Sequence, residues 1–138
     1  RTGQPVMADQ CVKEAGLAKQ AVDDQLMSSL CIKPAFLGGL TVARDVRDYC
    51  VSSGMKMRID GPWCGDIATA AILHLAVGAP PDLLIAGCDL REPLVRELDL
   101  KGVIKFDGCC VGPPPGPGLG ITLTDNVMGD PDAIFSIR

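Results

Sequence analysis

Apolar residues along this chain come in short runs separated by stretches of helical spacing, and two of the runs end in a single charged side chain. Pro5-Val6-Met7-Ala8 leads into Asp9. Leu30-Cys31-Ile32 leads into Lys33, which Pro34-Ala35-Phe36-Leu37-Gly38-Gly39 follows. Between them, Lys13 to Leu26 fits a helix whose Ala15, Ala18 and Val22 form a modest apolar stripe, so the opening residues read as one βαβ step. Gly38-Gly39 then turns the chain, Thr41 is placed to cap a helix, and Val42, Val46, Tyr49 and Cys50 recur at helical spacing until Gly54 ends it. Met55 to Asp60 predicts a third strand. Asp66 is placed to cap a helix over Ile67 to Val77 that is apolar nearly all round and so expected to be sandwiched; Gly78 and Pro80-Pro81 stop it. Leu83 to Cys88 reads as a fourth strand, continuous and apolar like a parallel strand covered on both faces.

Strands alternating with helices predict an α/β fold, a parallel sheet with crossover helices. Beyond Asp89 the alternation stops. From Lys101 the composition shifts to glycine and proline, culminating in Pro113-Pro114-Pro115-Gly116-Pro117-Gly118-Leu119-Gly120, a turn-rich C-terminal segment. Gly116, Gly118 and Gly120 superficially resemble a phosphate-binding loop, but the surrounding prolines and the lack of a following amphipathic helix argue against nucleotide binding.

Composition narrows the function classes. Hydrophobic residues at 47% and charged residues at 22% describe a soluble globular interior rather than a disordered or collagen-like chain. A net charge of -4 without a Lys/Arg cluster gives no electrostatic footprint for nucleic acid or an anionic membrane. No apolar run approaches the roughly 18 residues that span a bilayer, and no signal peptide is visible, so a cytoplasmic setting is expected. The chain begins at Arg1 and opens almost directly on a strand, which reads as a fragment. Its seven cysteines cannot all pair with one another, and they form no zinc-spaced set. Cys31 and Cys88 sit inside apolar runs, where a reduced thiol behaves as a small hydrophobe; Cys109-Cys110 leave a vicinal disulfide or surface thiols open. A reducing compartment is expected.

Loops at the carboxyl ends of consecutive parallel strands share one face, so Asp9 and Lys33 should look into the same cleft. A carboxylate and a lysine there fit a metal ligand beside a proton-transfer base, or a plain salt bridge. Asp60 ends the third strand, where it is placed to orient a substrate, pair with a lysine or cap a turn. Trp63, the only tryptophan, follows it; its ring can pack on an apolar ring or a substituted ammonium, or cover the helix end. His74 sits mid-helix and reads as a packing residue with a backbone hydrogen bond. Cys64 lies beside Trp63 without a base nearby in sequence. Arg91-Glu92 and Arg96-Glu97 read as a solvated face.

Four segments carry a resemblance in order along the chain: the Ala8-Asp9 strand end, Ile32-Lys33-Pro34-Ala35-Phe36-Leu37-Gly38-Gly39-Leu40, Asp60-Gly61-Pro62-Trp63-Cys64-Gly65-Asp66 with its Ala-rich helix, and Gly116-Pro117-Gly118-Leu119-Gly120-Ile121. They resemble the carboxyl-terminal part of the enolase superfamily, in its mandelate racemase and muconate lactonizing enzyme branch. The resemblance implies the C-terminal half of a modified TIM-type (β/α)7β barrel: residues 1–100 would supply strands five to eight, and 101–138 a Gly/Pro-rich segment of the same domain. It implies that Asp9 is the third of three carboxylates that bind Mg2+, and that Lys33 is the lysine after the sixth strand that exchanges a proton with the substrate carbon. The other two carboxylates and an opposing Lys-x-Lys base would precede Arg1. Asp9-Gln10 stands where relatives often have Asp-Glu, and Asp60 where some carry a histidine base, which favours lysine chemistry.

The resemblance thus implies a Mg2+-dependent enzyme that abstracts the proton α to the carboxylate of a small molecule: a racemase, epimerase or dehydratase. Trp63 and Asp60 would be substrate contacts, suggesting an amino-acid or proline-like acid. Such a proton is weakly acidic, so the developing enolate needs a cation beside it. Lys33 as base needs a depressed pKa, which partial burial near a metal and a second ammonium would supply. A homo-oligomer is expected at full length. The alternative is a noncatalytic half-barrel that folds or associates with a partner.

Overall fold

Every strand of the main sheet is hydrogen-bonded to its sequence neighbour, all of them parallel, in the order β1-β2-β3-β4. The structure is a computed structural model describing residues 3–62, 64–87, 102–123, 129–130 and 133. Its elements run β1 (Met7–Ala8), α1 (Ala15–Asp23), β2 (Ser29–Ile32), α2 (Pro34–Leu37), α3 (Leu40–Ser52), β3 (Lys56–Ile59), α4 (Asp66–Val77) and β4 (Leu84–Ala86), then a two-stranded antiparallel ribbon of β5 (Phe106–Asp107) and β6 (Cys110–Val111). The register pairs Leu30 with Met57 and Ile32 with Ile59. Because side chains alternate across a pleat, those four lie on one face, buried beneath α3 and α4, while Cys31, Lys33, Arg58 and Asp60 lie on the other. The core joins the strands to Ala18 and Val22 of α1, Ala43, Val46 and Cys50 of α3, and Ala70, Ile72, Leu73 and Leu75 of α4. α4 is half-buried to buried over most of its length, short of the full sandwiching its composition predicts, and its last residue, Val77, is exposed.

Two helix starts differ from the sequence expectation. Gly39, not Thr41, precedes the first turn of α3: its carbonyl accepts from Ala43 N–H at 3.1 Å, and its φ of 125° is open to glycine alone. Gly38, at φ 87°, ends the unpredicted four-residue helix α2, which Pro34 starts with its fixed φ. At α4 the cap is Gly65, and Asp66 is the first helical residue.

Helices α1 and α3 end in the same Schellman turn. In α1, Gln25 N–H donates to Val22 O and Leu26 N–H to Ala21 O; in α3, Gly54 donates to Val51 O and Met55 to Cys50 O. The turn requires a left-handed residue, which is Gln25 (φ 51°) in the first and Gly54 (φ 68°) in the second.

β4 differs from its reading as a strand covered on both faces. Ile85 is 49% exposed and Ala86 is exposed, and β4 pairs with β3 alone among the described residues. Cys88, the end of the expected strand, and the Arg91-Glu92 and Arg96-Glu97 pairs lie outside the described residues. The C-terminal segment folds back on α4: Ile104 is buried in the core, Leu119 and Ile121 pack against it, and His74 Nε2 lies 3.3 Å from Leu119 O. The six described cysteines are free thiols, Cys109 and Cys110 among them, so no vicinal disulfide forms. Among the described residues no helix is long and apolar enough to cross a membrane.

Candidate active site

The carboxyl ends of three adjacent strands bring one charged residue each to the same place. Asp9 follows β1, Lys33 follows β2 and Asp60 follows β3; Asp60 N–H still donates to Ile32 O at 2.9 Å, carrying the ladder one residue beyond β3. Pro34 disfavours a helical conformation at Lys33, which is extended (φ -116°, ψ 105°) and ends the strand rather than starting the helix.

Lys33 Nζ lies 3.0 Å from Asp9 Oδ1 and 3.2 Å from Asp60 Oδ2. Its side chain is 7% exposed and that of Asp60 9%, whereas Asp9 is 48% exposed. Arg58 Nη2 reaches the same Asp60 Oδ2 at 3.3 Å, and Gly61 N–H donates to Oδ1 at 2.8 Å. Both oxygens of Asp60 are therefore engaged. A Cβ at Gly61 would stand 2.5 Å from Cys64 Sγ and 2.7 Å from Ile72 Cδ1, so a larger residue there would have to push those side-chain ends aside. The four charged side chains, with Gln10, Gly61 and Pro62, line a cavity of about 380 Å³.

Burial alone would push the Lys33 ammonium down, but its hydrogen bonds to Asp9 and Asp60 more than offset this and hold it above the ordinary lysine value. The sequence reading expected a lowered value only with a metal and a second ammonium beside Lys33, whereas the described groups facing Lys33 are carboxylates on both sides. Beneath it, the Cys31 thiol lies 4.0 Å from Asp60 Oδ2; burial pushes it up to about 12, with Lys33 pulling down and the two aspartates pushing up, so it stays protonated. Burial also raises Cys64, a poor setting for a nucleophile.

Of the residues singled out by sequence, Asp9, Lys33 and Asp60 come together. His74 is held at the C-terminal segment by Leu119, and Trp63 lies outside the described residues. Arg58 and Gln10 were missed. The signal for Arg58 was the period of β3, where Met57 and Ile59 face the core and Arg58 shares the side of Asp60.

Asp9 offers a half-exposed, anionic, hard oxygen of the kind Mg2+ takes. The described residues contain no cluster of three or more acidic, histidine or cysteine side chains able to hold a metal.

The sequence model of a family described as enolase C-terminal domain-like matches residues 1–127. Cis-3-hydroxy-L-proline dehydratase of Roseibium aggregatum is 32% identical over 99% of this chain, and muconate cycloisomerase 1 of Rhodococcus opacus is 32% identical over 86%. The chain spans 37% and 32% of the lengths of these two relatives. A crystal structure of an enolase superfamily member from Roseovarius nubinhibens, complexed with magnesium, superposes with a TM-score of 0.88 at 31% identity, over 96% of this chain and 36% of that one.

Proposed function

Because this chain belongs to the enolase C-terminal domain-like family, we propose that the protein carrying it removes the proton α to the carboxylate of a small organic acid and, with a hydroxylated proline-like substrate, eliminates water. The observation that carries this reading is the buried Lys33 ammonium between Asp9 and Asp60 at the mouth of a polar cavity. The likeness to a hydroxyproline dehydratase over 99% of the chain favours elimination over racemisation.

In this reading Lys33 Nζ is the acid–base group for one face of the substrate carbon. Asp60, locked at both oxygens, fixes the direction in which Nζ points. Asp60 and Trp63 are the substrate contacts. Asp9 is the residue that would hold Mg2+, which when bound neutralises substrate carboxylate charge and so favours loss of the neighbouring proton. With Asp9 engaged elsewhere, the Lys33 ammonium loses the Asp9 part of the support that now holds it charged.

The test uses the full-length protein with Mg2+ and cis-3-hydroxy-L-proline in deuterated water, followed by proton NMR. Loss of the α-proton signal with release of the dehydrated product is the expected result, and Lys33→Ala should remove it. Exchange without product would reassign the outcome to racemisation. Neither exchange nor product would refute the proposal.

A further inference from the structure

Asp60 Oδ2 is shared by two cations, Lys33 Nζ at 3.2 Å and Arg58 Nη2 at 3.3 Å, while Lys33 also reaches Asp9 at 3.0 Å. Two cations on a single carboxylate oxygen repel one another, so the net pull on each is weaker than it would be on one alone. Arg58 is the permanent charge of the two, since a guanidinium does not lose its proton in proteins. Its side chain rises from β3 on the cavity face, register-paired with Cys31 beneath Lys33, and lines the cavity itself.

We infer that Arg58 is a positioning residue: by taking up part of the charge of Asp60 it keeps Lys33 poised between Asp60 and Asp9 instead of collapsing onto Asp60. Lys33 is the group that must meet the substrate, and its reach into the cavity depends on not being captured by the nearest buried anion. Asp60 cannot turn away to relieve the competition, because its other oxygen is fixed by Gly61 N–H. Arg58 therefore acts on the reacting atom without touching the substrate. The structural part stands on the ion pairs alone; the catalytic part rests on the function proposed above.

Two measurements on the full-length protein separate these parts. In crystal structures of protein freed of divalent cations, Arg58→Met should leave Lys33 Nζ on Asp60 and out of hydrogen-bond reach of Asp9, while Arg58→Lys should keep both contacts. Retention of both contacts in Arg58→Met overturns the inference. In kinetics with Mg2+ and cis-3-hydroxy-L-proline, Arg58→Met should lower kcat roughly 10- to 100-fold, the range seen when an orienting partner is lost, with KM little changed and partial recovery in Arg58→Lys. A raised KM at full kcat would make Arg58 a substrate contact, and unchanged kinetics would make it purely structural; both overturn the inference. Should Arg58→Met fail to fold, Arg58→Gln serves in both measurements. A wild-type protein inert toward this substrate would sink the proposed function, while the crystal structures would still decide the role of Arg58.

Discussion

The two ends of the parallel sheet are built on different principles. At the carboxyl end, Asp9, Lys33, Arg58 and Asp60 crowd around a cavity of about 380 Å³. At the amino end, a larger hollow of about 470 Å³ opens between the turns before β2 and β3, lined by Val22, Met27 and Met55 with Gln25, Ser28 and Gly54, and by Lys56 as its one charged residue. Size therefore does not mark the site. Taking a charge out of water costs several kcal/mol unless partners repay it, so a buried ammonium held by two carboxylates is an arrangement that packing alone would not favour. The amino end is specified by backbone turns, the carboxyl end by charges kept against their preference for water.

The largest effect that could break this contrast lies at Lys33. Lys33→Ala in the full-length protein should lower turnover by roughly 10²–10⁴-fold, the usual cost of a positioned proton-transfer group, and should stop solvent deuterium exchange on one face of the α-carbon only. Retained turnover and exchange would reduce the carboxyl end to a structural salt bridge. Next, Asp9→Asn should weaken Mg2+ binding by about tenfold or more in calorimetry while leaving the circular dichroism spectrum unchanged, because the carboxamide keeps the shape and loses the charge. Ser53, the residue that caps the carboxyl end of α3, also lines the amino-end hollow, and Ser53→Ala should leave both untouched.

Alkaline pH probes both ends at once. Cys31 under the site is pushed to about 12 and Cys50 at the end of α3 to about 11, in both cases chiefly by burial. Above pH 9 the unfolded chain releases these thiol protons and the folded one keeps them, so stability falls with rising pH, by up to about 1.4 kcal/mol per unit for each thiol. Lys33 acts in the same direction: its raised pKa adds stability below the unfolded value that is lost as pH climbs through the folded one. Urea melts of the full-length protein between pH 8.5 and 10.5 should show the decline, and Cys50→Ala should roughly halve its slope. Smallest is the effect at Gln25. Since Gly54 fills the same left-handed position in the second Schellman turn, Gln25→Gly should stabilise by about 0.5 kcal/mol in denaturant melts with activity unchanged, and Gly54→Ala should destabilise by about 1 kcal/mol.

Much of this contrast was legible in the sequence, for a physical reason. A lone charge closing an apolar run stands out, which is why Asp9, Lys33 and Asp60 can be placed at one end of a sheet from the amino-acid sequence. The strand and helix order followed from the same runs. Helix α2 was not legible, since four residues beginning at Pro34 carry no period, and Thr41 was mistaken for a cap because Gly39 supplies its carbonyl without a side chain. The exposure of β4 was hidden because an apolar run records what a residue prefers, not whether a neighbour arrives. The raised pKa of Lys33 depends on distances to Asp9 and Asp60, separated from it in sequence by 24 and 27 residues. Arg58 was readable from alternation alone, but its pairing with Asp60 was not.

The strand-by-strand assembly of the site has a consequence for inheritance. Asp9 and Lys33 each reach the cavity from their own βα unit and Arg58 and Asp60 together from a third, and the strands of the last two units are pinned by apolar residues facing the opposite way, Leu30 and Ile32 on β2, Met57 and Ile59 on β3. Scaffold and chemistry are thus interleaved along one strand yet mutate on separate faces. A descendant lineage can exchange the loop after β3 while Lys33 is passed on unaltered by the unit before it.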